Sequence, residues 1–263
     1  MRKYISIFKM SMSDNFQGIE ALFFKFLSYF VNMFVLSNVW KYIYSDPNRV
    51  INGYTLVQMV WYILFADTIS YGASRIVVDE IQNDVVTGTI AYKINKPYKY
   101  VLYIFTRSFA DSLIRTSLYF IVSIVIGILY VGPLNLNLTI GSLFAIALTF
   151  ILSVVITNLI KITITLISFW TEDSEPFHWI YNKTILIFGI FFPIEMFPLI
   201  IQKILVYTPV YTTVYGPAKL ALDFSYSTFS SVLFAQIIYV IVVSIICGLI
   251  FRKGVKNLNV NGG

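Results

Sequence analysis

Along most of this chain apolar residues run on without the polar interruptions that a soluble helix shows every second turn. Runs long enough to cross about 30 Å of hydrocarbon as a helix, roughly 20 residues, fall at about 21–43, 54–74, 105–131, 139–165, 178–197 and 228–251. Another apolar stretch, about 198–217, is broken by Pro198, Pro209, Gly216 and Pro217. Between the second and third runs lies one polar island, Arg75 to Tyr100, reading RIVVDEIQNDVVTGTIAYKINKPYKY. The pattern predicts an all-α polytopic membrane protein with six transmembrane helices. No repeat period or soluble linker divides it, so residues 1–263 read as one domain.

At the start, Ile5, Phe8, Met12 and Phe16 fall near one helical face, which predicts an interfacial helix over about 1–19 with Arg2 and Lys3 at the headgroups. A frayed tail is the alternative. Lys9 interrupts any apolar signal core and no small-residue cleavage site follows, so no cleavable signal peptide is expected. The fourth run continues from Thr139 to Trp170, interrupted only by Lys161, about 48 Å of helix at 1.5 Å per residue. Tilt, or projection beyond the bilayer with Lys161 snorkelling at the inner interface, is expected there. In the following TEDSEPFHW, Pro176 marks the next helix start and His178 reads as a loop or interface residue.

Composition agrees with lipid as the solvent. Hydrophobic residues make up 58% and charged residues 12%, with mean hydropathy +0.78, against about 25% charged in soluble domains. The net charge of +6 fits basic loops beside an anionic leaflet rather than nucleic acid. If the N-terminus is cytoplasmic, twelve of the nineteen Lys and Arg fall inside: Arg2, Lys3, Lys9, Arg75, Lys93, Lys96, Lys99, Arg107, Lys183, Arg252, Lys253 and Lys256. Lys41, Arg49, Lys203 and Lys219 fall outside, and Lys25, Arg115 and Lys161 within spans. Both termini and the island are therefore expected in the cytoplasm of, most simply, a bacterial cell.

Catalytic chemistry finds no support. One cysteine, Cys247, and one histidine, His178, argue against a disulfide, a thiolate metal site or a histidine metal centre. No GxxxxGK followed by Ser or Thr, nucleophile elbow, HExxH or CxxC occurs. No cofactor or metal is expected in this chain, and no enzyme activity.

Ionisable residues inside spans are costly and often functional. Asp67 lies toward the inner end of the second span, and Arg107, Asp111 and Arg115 recur every four residues on the third. The depths predict an Asp67–Arg115 pair, with Asp111 bridging to Arg107. Further on, FGIFFPIEMFPLIIQKILVYTPVYTTVYGPAKLAL carries Gly189, Pro193, Glu195, Pro198, Pro209 and Pro217. After Pro198 a short amphipathic helix is expected to run until Pro209. An extracellular re-entrant helical hairpin over about 193–217, between the fifth and sixth spans, fits best; apolar helices lying on the outer leaflet are the alternative.

Taken in order, these segments resemble the permease subunits of type-2 ABC exporters, most closely the viologen-exporter-like subfamily. In the island, Glu80-Ile81, Gly88-Thr89-Ile90-Ala91-Tyr92 and Lys96-Pro97 are similar to the family's acidic, Gly-Thr/Glu-Ile-Ala-Tyr and basic-Pro pattern. Beyond it, Gly189, Pro193, Phe197-Pro198, Pro209 and Tyr215-Gly216-Pro217 follow the family's glycine and proline landmarks. The resemblance implies a second permease, identical or homologous, and a cytosolic ATPase dimer that binds the ATP and Mg. It implies that loop 75–100 forms a coupling helix, roughly Val78 to Ala91, seated on the ATPase. Asp79, Glu80, Asp84, Gly88, Thr89, Tyr92, Lys96 and Pro97 would make that dock, with Lys93 and Lys99 adding to its charge. An ion- or proton-coupled secondary transporter using Asp67, Arg115 or Glu195, or a membrane scaffold, are the other readings. The halves show no inverted repeat, which weighs against the former. Aromatic faces such as Phe23, Phe24, Tyr29, Phe30 and Phe34 suit drugs, lipids or peptides without choosing among them.

Overall fold

The computed structural model describes residues 2–14, 19–46, 49–134 and 139–261, except the side chains of 14, 19–23, 25 and 257–261. Phe16, and the side chains of Phe23 and Lys25, lie outside the described residues. Helices α1 (Arg2–Asp14), α2 (Ile19–Ile43) and α3 (Leu56–Gly72) lead into the island, which forms α4 (Ile76–Val86) and α5 (Thr89–Ile94). Then come α6 (Tyr100–Val131), α7 (Ile140–Thr165), the short α8 (Ser168–Thr171) and α9 (Glu175–Ile185). The chain closes with α10 (Leu199–Leu205), α11 (Gly216–Leu222) and α12 (Tyr226–Asn261). Among the described residues three helical segments are long and apolar enough to cross a membrane: Tyr100–Val131, Ile140–Thr171 and Tyr226–Lys256.

Helix α3 is the hub. It is apolar on every side, and twelve of its residues, from Met59 to Ile69 and Gly72, are buried. A helix apolar all round belongs inside a bundle. A capping box starts it, with Thr55 accepting from the Gln58 amide and the Gln58 side chain accepting in return. It packs closest on α6, where two glycines remove the side chains that would hold the helices apart. A Cβ at Gly72 would lie 2.0 Å from Thr116 Oγ1, and one at Gly127 would lie 2.5 Å from the Trp61 ring. A second core closes the island end, where Val77, Ile81, Ile90, Ile104, Ile162 and Cys247 are buried together.

Two helices contain π-helical turns, Leu186–Phe191 continuing α9 and Tyr211–Tyr215 leading into α11. The wider π turn frees carbonyls from the helical ladder, and neighbouring side chains take them. Tyr62 donates to the Gly189 carbonyl. Gln236 and Ser153 donate to that of Thr212 at 2.9 and 3.2 Å.

Several expectations are corrected. The island is not one helix from Val78 to Ala91 but two, because Gly88 takes a left-handed φ of +70° that ends the first and starts the second. In the fourth run a turn at Leu166–Ile167 separates α7 from α8. Lys161 does not snorkel: it is buried on α7. His178 is not in a loop; it lies buried in α9, its Nε2 2.9 Å from Thr165 Oγ1. Pro176 does stand at the start of that helix. Helix α10 stops at Leu205, before Pro209, and the helix that carries the last apolar run extends to Asn261.

Candidate functional site

The island folds into an elbow whose buried side is both apolar and charged. On α4 the spacing Val77, Ile81, Asp84 places these three on one inward stripe, with Glu80 at its edge. Lys93 of α5 reaches back to Glu80 Oε1 at 2.9 Å and Asp84 Oδ2 at 2.8 Å. Arg107 of α6 meets Glu80 Oε2 at 2.6 Å and the Tyr103 hydroxyl at 3.1 Å. Tyr100 donates to Asp84 at 2.8 Å. Burial pulls the Lys93 ammonium down, but its hydrogen bonds and charge contacts with Asp84 and Glu80 together outweigh this, so its pKa lies above the ordinary lysine value. Glu80 and Asp84 thus clamp the elbow to α6 from within.

What the elbow displays is its tip. Asp79, Asn83, Val86, Thr87, Gly88, Thr89 and Tyr92 are exposed, Val86 by 61% and Tyr92 by 67%. Thr87 and Thr89 hydroxyls lie 2.6 Å apart across Gly88. Lys96 stands 4.7 Å over the Tyr92 ring, and the Asn95 side chain closes α5 on the Ala91 carbonyl at 3.0 Å. The elbow is tied on other sides too. Gln82 donates to Asp173 at 3.1 Å and accepts from the Ser174 hydroxyl at 3.0 Å, and Arg75 pairs with Glu175 at 2.9 Å. Helix α1 lies along the first turns of α6: Lys3 donates to the Pro97 carbonyl, Tyr4 accepts from the Lys99 amide and Ser11 donates to the Arg107 carbonyl. On α1, Phe8 meets Phe109 while Ile5 is exposed.

Beside the elbow, α2, α3, α6, α7 and α9 line an open cavity of about 840 Å³ that carries several charged side chains. Asp67, Arg115 and Lys161 line it, with Arg75 and Glu175 at its elbow side. The expected pairing is not formed. Arg115 turns to Asp111, one turn before it on the same helix, at 2.8 Å, and Asp67 accepts from Asn32 of α2 at 3.1 Å. Arg107 goes to Glu80, so the Asp111–Arg107 bridge is absent as well. The i,i+4 spacing of Asp111 and Arg115 needs no second helix, which explains why it prevails.

At the far end Glu195 joins three segments. Its Oε1 accepts from Tyr215 at 2.7 Å and pairs with Lys219 at 3.2 Å, and Lys219 also donates to Tyr54 at 3.0 Å. Pro193 and Pro198 precede the 3₁₀ turn Ile194–Met196 and α10, as their missing amides allow. Gly189 lies in the first π turn against Val210 and Val214, Pro209 accepts from Thr213 at 2.6 Å, and Pro217 is buried in the first turn of α11.

Lys93, Tyr100, Asn32, Lys219 and Gln236 hold these sites together, and sequence reasoning assigned them no such role. A signal existed for the elbow: Glu80 and Asp84 fall on the same helical stripe as Val77 and Ile81. For Lys219 and Gln236 the partners are fixed only by tertiary structure.

A model of the ABC-2 family transporter proteins matches residues 26–262. A comparison with individually curated proteins gives no match.

Proposed function

The chain belongs to the ABC-2 transporter family, and from that premise we propose that it is the export-pathway subunit of an ATP-driven exporter, closest to the viologen-exporter-like permeases. Family membership makes it an integral-membrane permease component that works with an ABC ATPase partner. In the proposed arrangement α2, α3, α6, α7, α9 with its π turn, and α12 are the six spans. Both termini and the elbow lie in the cytoplasm. The segment from Pro193 to Pro217 is the extracellular re-entrant hairpin, and a second permease, identical or homologous, completes the pathway. ATP and Mg are bound by a cytosolic ATPase dimer, and the spanning chain hydrolyses nothing.

The observation that carries this reading is the clamped elbow. A loop that merely joined two helices would leave its charges in water. Here Glu80 and Asp84 are held by Lys93, Arg107 and Tyr100, while an exposed tip carries Val86 and Tyr92. A push on that tip passes to α6 through Arg107, to α9 through Arg75 and to the turn before it through Gln82, and to α7 through the shared apolar core. Helices α6, α7 and α9 also wall the cavity, so movement at the elbow alters its shape. The test is reconstitution with the partner ATPase. Export must require hydrolysable ATP, and Val86→Glu or Tyr92→Ala must uncouple it. Transport driven by a pH or sodium gradient without ATP would overturn the reading.

A further inference from the structure

The open cavity carries an inference about its occupant, which deepens the permease reading and rests on it for the claim of transport. Two of the cavity's cations are already matched, Arg75 by Glu175 and Arg115 by Asp111. Lys161 is not. Among the described residues no carboxylate pairs with it, its Nζ makes one long hydrogen bond of 3.5 Å to the Ser74 carbonyl, and its residue is only 8% exposed. An ammonium has three donors and is costly to bury without an anion. Lys183, also on the lining, adds a second cation, 5.9 Å from the Trp179 ring centre. The lining also carries aromatic residues: Tyr71 and Tyr119 stand 5.7 Å apart, and Phe24 belongs to the same lining. From Phe24 the exposed apolar residues Leu27, Phe30 and Val31 continue along α2.

We infer that this cavity binds an amphiphile with an anionic, phosphate- or carboxylate-type head. The head sits on Lys161 and Lys183, and the tail leaves along Tyr71, Tyr119 and the exposed face of α2. A small free anion uses the basic residues but leaves the aromatic ones wet. A cation suits the tyrosines and Asp67 but brings its charge against Lys161 and Arg115. An anionic head with an apolar tail uses both. Asp67, steadied by Asn32, accepts from a hydroxyl or amine on the same head.

Native mass spectrometry of the full-length protein in a neutral detergent tests this. The probes are dioleoyl-phosphatidate, inorganic phosphate and the cationic lipid dioleoyl-trimethylammonium-propane. Phosphatidate is expected to fill a saturable site that Lys161→Gln weakens about tenfold. Lys161→Arg keeps affinity within about threefold, and Lys203→Gln, away from the cavity, leaves it unchanged. If Lys161→Gln does not fold, Lys183→Gln must weaken the same site relative to Lys203→Gln. Equal binding of the cationic lipid, displacement of phosphatidate by inorganic phosphate, or unchanged affinity in the cavity variants would overturn the inference. The assay contains no ATPase, so its failure is distinct from a failure of the elbow to engage one.

Discussion

Glu80 and Asp84 each accept from two partners, so one lost cation leaves a largely buried carboxylate short of a donor. Arg107→Gln should cost about 1–2 kcal/mol, toward the lower end because the arginine is partly solvated. A double-mutant cycle with Glu80→Gln, read by thermal unfolding, should show coupling between the two positions; simple additivity would mean the contact contributes nothing. The raised pKa of Lys93 sets a pH window. Its contribution to stability is complete below the ordinary lysine value and is lost only as pH rises through the raised folded value. Protease cutting within 76–94 should therefore stay constant across neutral pH and increase only in strong alkali, and Lys93→Gln should abolish that alkaline step. The charged residues of the island were legible as a group in the sequence. Their direction was marked only by the stripe that Glu80 and Asp84 share with Val77 and Ile81, and their partners are fixed only when α5 and α6 fold against it.

Helical elements depend on where glycine is used for contact and where for conformation. Gly127→Ala drives a methyl group into the Trp61 ring, where 2.5 Å of separation is available, and should lower stability by about 1–3 kcal/mol. Gly248→Ala in α12 meets nothing within 4 Å and should be neutral or stabilise by up to about 1 kcal/mol. Equal melting temperatures for the two variants would contradict the close packing of α3 on α6. Gly88 is a conformational case: alanine there meets open space but must hold φ at +70°, costing about 1–2 kcal/mol. Apolar runs and proline positions made the long helices legible, including the start of α9 at Pro176. The π turns were not, because they arise from carbonyls that Tyr62, Ser153 and Gln236 supply with donors from distant helices. Gln236→Leu should therefore loosen the turn at Tyr211–Tyr215, seen as faster amide exchange there than in α12.

For the molecule as a whole, composition and run lengths revealed a helical membrane protein, and the order of landmarks pointed to the family that the chain proves to join. The cavity was hidden, since Asp67, Lys161 and Lys183 are scattered over more than a hundred residues and look like separate exceptions in separate runs. In the proposed mechanism the elbow's tip receives the ATPase and its clamp passes the motion on. Hydrogen exchange over 76–94, measured in the permease alone and in complex with its ATPase, tests it most directly. Amides from Val86 to Tyr92 are expected to slow by at least about tenfold in the complex, a local stabilisation of some 1.4 kcal/mol. Exchange at the tip that is unchanged while the ATPase is bound would contradict it.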